Sequence, residues 1–230
     1  MPESILKVKD LNVKLDNEKI IEGLSFEVEE NKILVVLGPN GAGKTVLFKT
    51  LLGLLPFKGE IQWRPGLKIE YVPTGLYLNK DIPLTVEEFF NLRKVSSREA
   101  LKVLKMVDMG KNDILAKRVN FLSSGQFQRL LIAWSLAGQP QVLLFDEPTA
   151  GIDVRGQESI YLLLDKLRKA KSLTVLLVTH DLSIVYKLAD KVICLNKKVL
   201  CQGSPVKVLT PQYLSQLYGG EIKFYQHQHE

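Results

Sequence analysis

The chain has 230 residues, 46% apolar and 24% charged, the composition of an ordinary globular protein with room for one large domain or one domain carrying an inserted subdomain. Its longest apolar runs fall well short of the roughly 20 residues a membrane-spanning helix needs. The net charge of +6 comes from Lys and Arg scattered singly or in pairs, with no basic stripe interleaved with aromatics, which argues against a nucleic-acid partner.

The start, Met1-Pro2-Glu3-Ser4, lacks the basic and apolar regions of a signal peptide. Residues 4 to 29 alternate in apolar character, through Ile5, Val8, Leu11, Val13 and Leu15, then Ile20, Ile21, Leu24, Phe26 and Val28. Asp16-Asn17 interrupts them with a turn signal, so two or three antiparallel strands are expected.

Lys32 to Leu37 reads as a buried strand and Val46 to Leu52 as a helix. Between them lie Gly38-Pro39-Asn40-Gly41-Ala42-Gly43-Lys44-Thr45. These eight residues satisfy every fixed position of the phosphate-loop pattern, in the strand–loop–helix context that the pattern requires. The glycines let backbone N–H groups turn inward towards phosphate oxygens. The positive end of the following helix favours the same anion. Lys44 is the candidate for the β- and γ-phosphates, and the Thr45 hydroxyl for Mg²⁺.

Short strands are expected at 59–63 and 68–72, divided by Pro65-Gly66. Beyond about residue 75 the apolar period becomes helical. Thr85-Val86-Glu87-Glu88 and Ser96-Ser97-Arg98-Glu99 are capping boxes that open two helices, and a third is expected over 126–137. A helical insertion over 76–135 is the simplest account.

Strand character returns at Gln141 to Phe145 and ends in Asp146-Glu147. An acid there stands at the carboxyl edge of a strand, where ligands bind in open α/β sheets. Asp146 can hold Mg²⁺, and Glu147 can accept a proton from attacking water. A helix is expected over 156–169 and a strand over 173–178, followed by Thr179-His180-Asp181. His180, at the end of that strand, could donate a hydrogen bond to a terminal phosphate. Strands at 191–195 and 198–201 and two helices opened by Ser204-Pro205 and Thr210-Pro211 complete the chain. Cys194 and Cys201 have no metal-ligand spacing; Cys194 reads as a small core residue, and a reducing cytoplasm as the compartment.

Leu122-Ser123-Ser124-Gly125-Gln126-Phe127-Gln128-Arg129 resembles the signature motif of ATP-binding cassette (ABC) ATPases. With the phosphate loop, Leu143 to Pro148, Ala150-Gly151-Ile152-Asp153 and His180, all in family order, the resemblance spans the chain. It is closest to the ATP-binding subunits of zinc and manganese importers, on Tyr71-Val72-Pro73, Leu84-Thr85-Val86, Cys194-Leu195-Asn196 and the His-containing tail.

This resemblance implies an α/β phosphate-loop NTPase with a RecA-like core sheet, an N-terminal antiparallel β subdomain and an inserted helical subdomain, all within one ABC domain over 1–230. It implies ATP and Mg²⁺ as cofactors, and a head-to-tail homodimer or paired cassette. Ser123, Ser124, Gly125 and Gln126 would face the partner's nucleotide, and Asp153 would cross to the partner's loop. Glu147 and His180 would be catalytic. A membrane permease would receive the helical subdomain on the cytoplasmic face, with an extracytoplasmic metal-binding protein beyond it. The implied activity is ATP hydrolysis that powers zinc or manganese import. Alternatives are an importer of another small solute and a non-transport regulatory ATPase of the same family.

Three positions depart from the family pattern. Thr74 stands where the family has a glutamine that ligands Mg²⁺, and its shorter reach calls for an intervening water. Leu15 stands where an aromatic stacks on adenine, leaving apolar contact only. Ser124 replaces the first glycine of the signature. The tail, 222–230, carries His227 and His229, which alone cannot complete a tetrahedral zinc site.

Overall fold

A computed structural model describes residues 4–74, 83–111, 113–149 and 151–219. The chain divides into two compact units, Met1–Arg64 with Leu177–Glu230, and Pro65–Leu176.

The first unit opens with a long hairpin, β1 (Ser4–Leu15) and β2 (Glu18–Glu29). Leu15 pairs with Glu18, and the two residues between them both have positive φ, 46° at Asp16 and 65° at Asn17. A two-residue loop of that hand matches the twist of its strands, and Asp and Asn tolerate it best after glycine. The expected alternation of residues 4 to 29 is therefore realised as two strands. Val8 faces Phe26, Leu11 faces Leu24 and Val13 faces Ile21, all buried.

The chain then enters β3 (Ile33–Leu37), buried at every residue, and α1 (Lys44–Leu51). A strand apolar throughout rather than alternating is what a parallel sheet covered on both faces requires. Next comes β4 (Lys58–Trp63), which pairs antiparallel with β1 to give a three-stranded sheet in the order β2-β1-β4.

In the second unit β5 (Ile69–Val72) lies parallel to β6 (Val142–Asp146), with Tyr71 beside Leu144 and Val72 beside Phe145. The described elements between them are helical: α2 (Val86–Asn91), α3 (Ser97–Met106) and α4 (Ser124–Ala137), with short 3₁₀ turns at Ile114–Ala116 and Val119–Phe121. Both expected capping boxes form. Thr85 and Ser96 each accept from the N–H three residues on, and Glu88 and Glu99 reach back to the cap. Arg93, just past α2, forms a forked ion pair with Glu70 on β5 and lies 4.3 Å from the centre of the Trp134 ring on α4. This triad joins strand to helices within the unit.

The remaining elements are α5 (Val154–Lys171), β7 (Thr174–Thr179), α6 (Leu182–Leu188), β8 (Lys191–Asn196), β9 (Lys198–Gly203), α7 (Pro205–Val208) and α8 (Pro211–Tyr218). In the first unit β3 pairs parallel with β8, which pairs antiparallel with β9. Proline occupies the first turn of α7 and α8, as expected.

The cysteines depart from the expectation. Cys194 is fully buried, as a core residue should be, but it is joined to Cys201 by a disulfide. The β8–β9 register places the two directly opposite, because the hairpin turns tightly at Lys197, whose φ is 59°. Spacing alone gave no sign of that turn. Two helix boundaries also moved outward. Ser123 caps α4 and Asp153 caps α5, so these helices begin at Ser124 and Val154 rather than near 126 and 156. Side-chain oxygens there accept the first free N–H groups.

Candidate active site

The phosphate loop is held from behind by the β8–β9 hairpin. A methyl group added at Gly38 would stand 2.2 Å from the Leu195 carbonyl oxygen, so only glycine fits. The Lys197 N–H donates to the Ala42 carbonyl at 3.2 Å. Gly41 and Gly43 have φ of 80° and 95°, a region costly for any residue with a Cβ. Gly43 is also the N-cap of α1 and supplies no side-chain acceptor to the helix start. Such an end, rich in N–H groups, suits an anion.

Lys44 is 6% exposed, and its ammonium donates to the carbonyls of Gly38 and Pro39, each at 2.9 Å. The loop thus folds around its own cation. Asn40, Gly41 and Thr45 are exposed, and Ala42 is buried.

Asp146 closes β6 at 1% exposure. The Tyr71 hydroxyl donates to its Oδ2 at 3.2 Å, and the Thr74 hydroxyl donates to its carbonyl oxygen at 2.6 Å. Burial, then the neighbouring carboxylate, push the Tyr71 pKa well above the usual phenol range, so Tyr71 stays a donor. Glu147 follows with a φ of 47°. A glutamate in the left-handed region is unusual and costs about 1 kcal/mol or more; outliers of this kind gather at functional sites.

The signature stretch opens α4. Ser123 Oγ accepts from the Gln126 N–H at 3.2 Å, and Gln126 Oε1 accepts from the Ser123 N–H at 3.2 Å. Ser123, Ser124 and Gln126 are exposed and Gly125 half-buried. Asp153 is exposed, and its Oδ1 accepts from the Gly156 N–H at 2.8 Å. His180 follows β7 and is exposed. Asp181 beside it caps α6. Leu15, at the end of β1, is half-buried.

The structure therefore assembles the phosphate loop as one element, ties Thr74 to Asp146, and joins Ser123 to Gln126. Three contributors were not singled out for a site role from sequence: Tyr71, Leu195 and Lys197. Only the first carried a usable signal, a tyrosine in a strand that could lie beside an acid-tipped one. Ala150, residues 76–82 of the helical insertion and the tail with His227 and His229 lie outside the described residues.

A glycine-lined loop closed by lysine and threonine, a buried acid ending a second strand, and a capped Ser-Ser-Gly-Gln helix start define a phosphate-loop ATPase of the cassette type. The ABC transporter family matches residues 21–150, and the chain belongs to that family as an ATP-binding subunit. It is 38% identical over 233 residues to "Zinc import ATP-binding protein ZnuC" of Photorhabdus laumondii, covering 99% of this chain and 90% of that one. It is also 38% identical to "Zinc import ATP-binding protein ZnuC 1" of Hahella chejuensis, covering 95% and 85%. Among solved structures it is similar to a metal-chelate-type ABC transporter in an inward-facing conformation, with a TM-score of 0.87, 26% identity, and coverage of 99% and 93%. No helix among the described residues is long and apolar enough to cross a membrane.

Proposed function

We propose that this ATPase powers the import of zinc through a membrane permease, bound to its cytoplasmic face and working as a pair of cassettes. The carrying observation is the match, along nearly the whole chain, to relatives named for zinc import. Zinc here is cargo.

The residues suit a magnesium–nucleotide. The Thr45 hydroxyl and the Asp146 carboxylate are the hard oxygen donors Mg²⁺ prefers, and the Lys44 ammonium already lies within the loop, on the Gly38 and Pro39 carbonyls. When bound, Mg²⁺ would offset negative charge on the β- and γ-phosphates. In the proposed assignment Gly38 to Gly43 cradle the phosphates and Lys44 contacts the terminal two. Leu15 gives apolar contact to adenine. Glu147 polarises the attacking water, and His180 holds that water and the γ-phosphate. Ser123, Ser124, Gly125 and Gln126 complete the partner's site, and Asp153 reaches the partner's loop. Neither cassette hydrolyses alone, so turnover waits on closure of the pair.

The test is gentle purification of the Glu147→Gln protein from native membranes with ATP and Mg²⁺. A multi-span permease travelling with it supports the proposal. A soluble or ribosomal partner instead removes the transport role and leaves the nucleotide chemistry. A second reading, import of a metal chelate, draws on the similar metal-chelate-type transporter; transport of a chelate but not of free zinc by the purified complex would favour it.

A further inference from the structure

We propose that Tyr71, near the end of β5, and Thr74, two residues beyond it, are positioning residues for the two acids Asp146 and Glu147 at the end of the neighbouring strand. The inference rests on the reading of Asp146 as a magnesium ligand. Its basis is the register of β5 on β6. Tyr71 lies beside Leu144, and residues two apart in a strand share a face, so Leu144 and Asp146 point to the same side as Tyr71. The two-residue step from Leu144 to Asp146 is about 6.6 Å, a span that a tyrosine ring and hydroxyl can bridge and a short side chain cannot. The Tyr71 hydroxyl reaches Oδ2 at 3.2 Å.

Thr74 acts on a different degree of freedom. Its hydroxyl holds the Asp146 carbonyl at 2.6 Å. That carbonyl belongs to the peptide bond joining Asp146 to Glu147. Rotating this peptide would change the direction in which Glu147 leaves the strand, and Glu147 sits in an unfavourable left-handed conformation, φ 47°. A hydrogen bond that fixes the peptide plane just before such a residue helps to hold it there. Tyr71 therefore orients the carboxylate of the first acid, and Thr74 orients the backbone from which the second acid projects. Groups that orient a metal ligand through a hydrogen bond typically change metal affinity 10- to 100-fold when removed.

The experiment uses Mn²⁺ as a paramagnetic stand-in for Mg²⁺, titrated into the full-length protein with a non-hydrolysable ATP analogue and followed by electron paramagnetic resonance. Tyr71→Phe keeps the ring and loses the donor. It should weaken Mn²⁺ binding about 10-fold or more, leave analogue binding in chelator unchanged, and recover most of kcat at saturating Mg²⁺. Thr74→Val should lower kcat at saturating Mg²⁺ with less effect on Mn²⁺ affinity, and Thr74→Ser should restore it. Asp146→Asn is the control. If Asp146→Asn abolishes Mn²⁺ binding while Tyr71→Phe matches the parent, the Tyr71 role is wrong. Equal kcat in Thr74→Val and the parent overturns the Thr74 role. If Asp146→Asn binds Mn²⁺ like the parent, the ligand assignment itself fails and the inference falls with it.

Discussion

The Leu195 carbonyl oxygen sits against the α-carbon of Gly38, so close that a methyl there would meet it at 2.2 Å. The phosphate loop is thus held by a strand more than 150 residues away in sequence. Gly38→Ala must displace either the loop or the hairpin. Since a 1 Å misplacement of reacting groups can cost about 100-fold in rate, hydrolysis should fall by roughly that factor while the protein stays folded. Steady-state ATPase assays with circular dichroism would check this; a rate within twofold of the parent would contradict the packing argument.

Glu147→Gln keeps size and shape but removes the carboxylate to which the proposed mechanism assigns the attacking water. The variant should lose hydrolysis and accumulate as an ATP-bound dimer, visible by size-exclusion chromatography with ATP present. Unchanged turnover would remove Glu147 from the mechanism.

The Arg93 fork on Glu70, stacked over Trp134, is only partly exposed, 26% at Arg93 and 17% at Glu70. Lysine carries the charge but not the fork or the planar face. Arg93→Lys should destabilise the fold by about 1–2 kcal/mol, lowering Tm by a few degrees in a chain of this size. A melting temperature equal to the parent's would show that the charge alone suffices.

Glu88 and Glu99 close the capping boxes of α2 and α3. Hydrogen bonds from Thr85 and Ser96 respectively hold both carboxyls below their ordinary value of 4.5. A folded-state pKa below the unfolded one stabilises at pH above the unfolded value, and that contribution is lost as pH falls through the lowered folded value. Fraying of α2 and α3 is therefore expected only below about pH 4.5. Carboxyl titration by NMR would test it; folded values at or above 4.5 would contradict the caps.

Much of this was legible because the elements concerned are local. The phosphate loop, both capping boxes and the acid-tipped strand are each short and local, and residue type and spacing point to their chemistry; the signature helix start is as local, but its reading came from the family resemblance. Glycine at 38, 41 and 43 announced a tight loop without help from the rest of the chain. What escaped depends on pairing between distant strands. That Leu195 and Lys197 brace the loop follows from β8 lying parallel to β3. That Tyr71 reaches Asp146 follows from the β5–β6 register. The Cys194–Cys201 bond follows from a turn at Lys197 that uses a non-glycine residue at positive φ, for which the sequence carries no marker. The hydrogen bond from Thr74 to the Asp146 carbonyl is of the same kind, since it depends on the end of β5 lying beside the end of β6.

The most direct test of the account is zinc-65 uptake into vesicles reconstituted with this ATPase and the permease that copurifies with it. Uptake that requires ATP and Mg²⁺, and that stops in the Glu147→Gln variant, is the predicted result. ATP hydrolysis at a normal rate with no zinc movement would contradict zinc import as the work this ATPase performs.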